Sequence, residues 1–176
     1  MSTPASVSLR PLTAADADFL WHWIHGSPQA QWRRWDGPYF DHGQPIARDE
    51  YVAQFAHSLP RENQRLIVVD DQPIGMVSRY EEDPVGGGWW ELGIVIYDPA
   101  WWGQGLGGQA LAQWAQETFA QTNAHVLTLT TWGGNERMVR SAQRVGFTEC
   151  ARIPQARLWD GRRWDSVKLA RLRDGN

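Results

Sequence analysis

Six residues, Gly103-Gln104-Gly105-Leu106-Gly107-Gly108, lie between an apolar run ending at Tyr97-Asp98-Pro99 and a helical pattern that reaches Trp114. This order places backbone N–H groups at a helix N-terminus, where the helix itself offers them no acceptor. The positive end of the helix dipole reinforces them. Glycines keep side chains out of the way, so the chemistry on offer is close backbone contact with an anion. A pyrophosphate suits that arrangement.

The same six residues fit G-x-G-x-x-G, the fingerprint of a dinucleotide site. Their context argues otherwise. Asp98-Pro99-Ala100-Trp101-Trp102 separates the strand from the glycines, and several elements precede the motif. A nucleotide-hydrolase phosphate loop is excluded more firmly, because no Gly-Lys-Ser/Thr follows. A helix that merely begins with glycines is the plain alternative.

Composition sets the bounds. The chain has 176 residues, enough for one domain with a substantial core. With 42% hydrophobic and 21% charged residues it reads as an ordinary globular protein. A net charge of −3 and the lack of any basic run give no general attraction for nucleic acid or anionic membrane. The single cysteine, Cys150, makes no internal disulfide and is expected to be a small filler in or near the core. His22 and His25 lack a metal-ligand spacing, so no metal is expected. The opening residues carry no apolar signal core and no run is long enough to span a bilayer, which points to the cytoplasm. Twelve tryptophans are the oddity. Most are expected in the core or its rim, and a few in a cleft whose walls would suit a cationic amine.

These residues need elements to position them. Val7–Arg10 reads as a short strand, and Thr13 caps a helix with Phe19, Leu20, Trp23 and Ile24 inward. Residues 26–46, rich in Gly, Pro and Trp, read as a long functional loop or broken helix. A helix follows around Tyr51–Leu59. Arg65–Val69, Ile74–Tyr80 and Trp89–Tyr97 form a three-strand meander. The helix from about Gly105 to Gln121 then leads to a strand at Val126–Thr131, so this connection is a parallel crossover. Asn135–Val145 is a helix stopped by Gly146. Phe147–Arg152 begins a strand, and Asp160-Gly161 turns a hairpin into Trp164–Leu172.

This element order resembles the GCN5-related N-acetyltransferases. Trp102-Gly103-Gln104-Gly105-Leu106-Gly107 is similar to their Arg/Gln-x-x-Gly-x-Gly/Ala motif, with Trp102 in place of the leading Arg/Gln. An aromatic pair before Gly-x-Gly resembles the branch containing the ribosomal-protein N-terminal acetyltransferases. So do the runs Thr131–Phe147 and Asp160–Ser166. The resemblance implies an α+β fold over residues 1–176. Its sheet would be mixed but mostly antiparallel, of about seven strands, with helices on both faces and a splayed central strand pair.

It also implies acetyl-CoA as co-substrate and direct transfer to a primary amine. The acceptor would be a small molecule or a protein N-terminus, and the protein a monomer or homodimer. The pyrophosphate would meet the amides of Gln104, Gly105, Gly107 and Gly108, in the turn that also holds Gly103 and Leu106. The pantetheine arm would pair with the backbone of Ile94, Val95, Ile96 and Tyr97 like an added strand. Asn135 would meet the pantetheine or acetyl end while capping its helix, leaving its amide nitrogen free. Arg140 and Arg137 are candidates for the phosphates.

For the chemistry, a bulge at Gly93 would free an N–H for the oxyanion. Glu91 is the candidate base, ahead of Glu149 and Asp165. The position where many relatives carry the acid tyrosine is Ala142. Ser141 is the adjacent candidate, and Tyr97 is a further phenol on the central strand. Thiols ionise at a pKa of about 8.5, so thiolate leaves without a dedicated acid near neutral pH. The alternative is a non-catalytic acyl-CoA-binding module that keeps the fold.

Overall fold

The computed structural model describes residues 6–174. Seven strands form one sheet in the order β1-β2-β3-β4-β5-β7-β6. They are β1 (Ser8–Arg10), β2 (Gln64–Val69), β3 (Gln72–Glu81), β4 (Trp89–Ile96), β5 (Val126–Trp132), β6 (Thr148–Trp159) and β7 (Arg162–Leu172). Every neighbouring pair is antiparallel except β4–β5. Four α-helices accompany them: α1 (Ala17–Trp21), α2 (Arg48–His57), α3 (Leu106–Gln121) and α4 (Glu136–Arg144). This is the expected mixed, mostly antiparallel fold with helices on both faces.

Strand alternation divides the core in two. Ile67 and Val69 point to one face, where α3 and α4 bury Leu106, Leu111, Trp114 and Ala142. Leu66 and Val68 point to the other, where α1 and α2 bury Leu20, Phe55 and Trp32. Two-residue turns set the hairpin registers. Asp70 and Asp71 both take positive φ between Val69 and Gln72, as do Asp160 and Gly161 between Trp159 and Arg162.

Three details differ from the sequence reading. The first helix is short and irregular: a 3-10 turn at Ala14–Asp16 precedes α1, and a π turn at His22–Gly26 follows it. Cys150 is exposed, because it sits on the edge strand β6. The β3–β4 ladder runs without a break through Ser78↔Gly93, so there is no bulge at Gly93. The irregularity lies on the opposite side of β4. Only Trp89, Trp90 and Glu91 pair with β5, at Val126, Leu127 and Thr128. Beyond Glu91 the two parallel strands part, while β5 stays paired with β7 as far as Trp132.

Candidate active site

The parting of β4 and β5 opens one cavity of about 740 Å³. At one end its lining includes Gly103, Gly105, Gly107, Gly108, Arg140 and Arg144; at the other it includes Asp36, Tyr39, Phe40 and Arg157. Residues 92–96 of β4 and 129–131 of β5 form its middle.

Backbone alternation decides which groups of β4 face the gap. Tyr97 N–H donates to the Ile74 carbonyl at 3.0 Å, and Glu82 N–H donates to the Trp89 carbonyl at 2.8 Å. Odd-numbered residues therefore spend their amides on β3; Leu92 N–H closes the last rung of the parallel β4–β5 ladder, and Ile94 and Ile96 turn theirs toward the gap. The Ile96 carbonyl accepts Trp102 Nε1 at 2.9 Å. Of the four residues expected to pair with a pantetheine arm, Ile94 and Ile96 face the opening, whereas Val95 and Tyr97 are engaged with β3.

Tyr97 departs furthest from expectation. It is 1% exposed and packs among Phe19, Trp23 and Trp32 on the α1–α2 face. Burial pushes its phenol far above the ordinary tyrosine range, with Asp36 and Tyr51 adding to the rise. It therefore anchors a core and is no proton donor at the site.

Gly103 and Gly105 take φ of +78° and +77°, which favours glycine strongly, and a Cβ at either would meet open space. Gly105 is the N-cap of α3. The first helical bond closes where Gln109 N–H donates to the Gly105 carbonyl at 3.2 Å. The N–H groups of Leu106, Gly107 and Gly108 thus have no acceptor within the helix. The Leu106 side chain turns into the core. Gln104 is not part of the cavity wall; its side chain folds back to donate to the Ala100 carbonyl at 2.9 Å.

One face of α4 completes this end. Arg137, Met138, Arg140, Ser141 and Arg144 recur at helical spacing and line the cavity. Ser141 is half-buried, and Ala142 is fully buried. Arg140 pairs with Glu136 at 3.0 Å, both largely exposed. Arg137 is instead held between two indoles, 4.4 Å over Trp35 and 4.7 Å over Trp102, so it is part of the wall. Arg144 was missed, because a charge in the last turn of a helix reads simply as a dipole partner.

Asn135 caps α4 as expected, its Oδ1 accepting from Met138 N–H at 3.3 Å. Its amide nitrogen is not free. Nδ2 donates to the Trp35 carbonyl at 3.1 Å, and Trp132 Nε1 reaches the same oxygen at 3.4 Å. These bonds tie the aromatic loop to the β5–α4 corner.

Glu91 is 6% exposed on the cavity wall. Its Oε1 accepts from Thr130 Oγ1 at 2.6 Å, and its Oε2 accepts from Thr128 Oγ1 and, at 3.2 Å, from Lys168 Nζ. A carboxylate has about four acceptor positions, so one remains open. Glu149 and Asp165 lie elsewhere, held by Arg152 at 2.7 and 3.2 Å on the exposed β6–β7 surface.

The aromatic end of the cavity holds what the sequence reading missed. Asp36 follows the 3-10 turn Gln31–Arg34 and is an exposed residue on the cavity lining. Desolvation among these walls raises its carboxyl above the ordinary aspartate range, with His42 opposing. No hydrogen bond reaches its carboxylate from the described residues. Arg157 arrives from β6, 4.5 Å over the Tyr39 ring. The length of this loop and its Gly, Pro and Trp content were the cues to its role.

No group of metal-ligating side chains occurs among the described residues, and no helix there is long and apolar enough to cross a membrane. No curated protein matches the sequence. Solved structures share the fold. One is a putative acetyltransferase from Salmonella typhimurium with its cofactor acetyl-CoA, at 20% identity and TM-score 0.72, covering 97% of this chain and 96% of that one. A ribosomal-protein-alanine N-acetyltransferase from Brucella melitensis matches at 21% identity and TM-score 0.68, covering 94% and 99%. A variant of spermidine N-acetyltransferase from Vibrio cholerae matches at 21% and 0.68, covering 94% of each. Residues 6–148 match the acetyltransferase (GNAT) domain, which takes in the glycine turn, the parted strands and α4. The chain belongs to the GNAT acetyltransferase family.

Proposed function

We propose that this protein is an acetyl-CoA-dependent N-acetyltransferase that acts on a primary amine by direct transfer. The observation that carries this reading is the single cavity joining the α3 N-terminus to an aromatic, carboxylate-bearing chamber through the gap between β4 and β5. When bound, acetyl-CoA supplies an activated thioester. The fit rests on the donor set: free amides at an open glycine turn suit a diphosphate, and unpaired strand backbone suits an amide-bearing arm.

The chain's own groups then divide the work. The N–H groups of Leu106, Gly107 and Gly108 take the diphosphate, with Arg140 and Arg144 beside them. The backbone of Ile94 offers an N–H donor for the oxyanion, freed by strand separation rather than by a bulge. Glu91 takes the amine proton directly or through water, using its open acceptor position. Ser141 is the remaining side-chain candidate for proton return to the leaving sulfur.

A non-catalytic acyl-CoA-binding module is the second reading. It is favoured by Ala142 in the usual acid position and by the three donors already on Glu91. Thiol release from acetyl-CoA in the presence of an amine panel tests both. Turnover with any amine supports transfer; tight acetyl-CoA binding with none supports the module. The aromatic pair Trp101-Trp102 also supports a place near the ribosomal-protein N-terminal branch, as does the hairpin run Asp160–Ser166. A cytoplasmic location belongs to the same reading.

A further inference from the structure

Arg157 owes its position to an irregularity of β6. The β6–β7 register shifts between Ile153 and Arg157, Gln155 takes a φ of +55°, and Asp165 Oδ1 accepts from Gln155 N–H at 3.1 Å. The bulge re-aims the strand so that Arg157 reaches the aromatic loop, 4.5 Å over Tyr39 and 5.8 Å over Phe40. It lines the same cavity as Asp36 and Glu91. Its Nε is buried without a hydrogen-bond partner, and among the described residues no carboxylate lies within ion-pair distance of its guanidinium. A buried donor left open in a native wall is exceptional and calls for a partner.

Asp36 is its counterpart. Its carboxylate, on an exposed residue, accepts no hydrogen bond from the described residues, and the Tyr39 phenol feels both groups: burial raises its pKa, Arg157 lowers it through its charge and a hydrogen bond, and Asp36 raises it further. One cation and one anion thus flank the same ring without pairing with each other. Two opposite charges on one wall that do not pair with each other match a ligand carrying both signs, whereas a polycation would meet Arg157 as a like charge.

We propose that the acceptor is a small amine that also bears a carboxylate, with Arg157 receiving the carboxylate and Asp36 drawing in the ammonium form, which becomes the nucleophile once its proton passes to Glu91. This rests on the transfer reading and narrows its substrate class. A guanidinium fork matches a carboxylate in two parallel bonds, which an ammonium cannot do.

The test offers the full chain acetyl-CoA with L-amino acids, the matching L-amino acid amides, spermidine, and dipeptide amides whose second residue is acidic. The expected kcat/KM is about tenfold or more higher for amino acids than for their amides. In Arg157→Gln that ratio falls to about one, and Arg157→Lys gives an intermediate ratio because it keeps charge without the fork. Melting temperatures establish that both variants are folded. A preference for acidic dipeptide amides that Arg157→Gln removes supports the Arg157 seat and sets its anion on a peptide side chain. Wild-type preference for amides or spermidine overturns the proposal while leaving transfer intact, as does an unchanged ratio in both variants. If acetyl-CoA binds and no amine is turned over, transfer fails. Calorimetry of amino acids against amides then decides the Arg157 seat separately, with equal affinities overturning it.

Discussion

Lys168 Nζ lies 3.2 Å from Glu91 Oε2, across β5 from the strand that carries the carboxylate. The pair fixes a buried anion on the cavity wall. Lys168 also sits 5.1 Å over the Trp89 ring, so its own position is set from two sides. Glu91→Gln is expected to lower kcat by about a hundredfold or more, within the roughly 10²–10⁴-fold range of general base catalysis, with little change in acetyl-CoA affinity. Steady-state rates over a pH series with calorimetry read the split. Equal rates at every pH would remove Glu91 from the role.

Lys168→Met tests the same pair from its other end. It leaves Glu91 with two hydroxyl donors and no counter-charge. The expected cost is about 1–3 kcal/mol of stability, read as a lower denaturant midpoint. A midpoint equal to that of the native chain would mean the pair holds nothing in place.

Gly105 tests the anion seat. Gly105→Ala should cost about 1–3 kcal/mol of stability through its positive φ alone. Gly105→Glu adds a carboxylate where the diphosphate is placed, so acetyl-CoA affinity should fall by a further tenfold or more, about 1.4 kcal/mol. Calorimetry separates the two. Equal affinity in both variants would move the diphosphate elsewhere.

Asn135 does two jobs that one atom change can separate. Asn135→Asp keeps an oxygen for the α4 cap but loses the N–H to the Trp35 carbonyl. It should keep most of the stability and raise the acceptor KM, because the aromatic loop loses its tie. Asn135→Ala loses the cap as well, at about 1 kcal/mol more. A melting temperature lower in the alanine variant than in the aspartate variant, with KM raised in both, is the expected pattern.

Asp16 sets an acid limit on stability. Burial alone would raise its carboxyl. Hydrogen bonds from Arg10, 2.7 and 2.8 Å away, and from Thr13 N–H outweigh this and hold it below the ordinary range. A carboxyl lowered by folding contributes stability above its unfolded pKa of about 3.9. That contribution is lost as pH falls through the folded value. Asp16→Asn should therefore lower stability at pH 7 and flatten its dependence on pH below about 4. Urea midpoints across that range provide the measurement.

Local features of this chain were legible in the sequence, and those that depend on strand register were not. The α3 N-terminus, the Asn135 cap and the Asp160-Gly161 turn each need only a few neighbouring residues, so their chemistry shows in the spelling. The Glu91–Lys168 pair needs β4, β5 and β7 in register across 77 positions of sequence. Tyr97 looked available because it ends the central strand. Alternation sends its ring into the α1–α2 core instead. Asp36 and Arg157 meet one cavity only because a loop crosses the gap and a bulge turns β6 toward it. No spacing rule joins residues that far apart.

The separation of β4 from β5 has a mechanical consequence. Four strands on one flank and three on the other are stitched together by a ladder only three residues long, so the sheet has a seam. Any guest that hydrogen-bonds along the open lips would act as a rivet between the two flanks. Its arrival should slow amide exchange on both sides of the seam, well beyond the residues it touches.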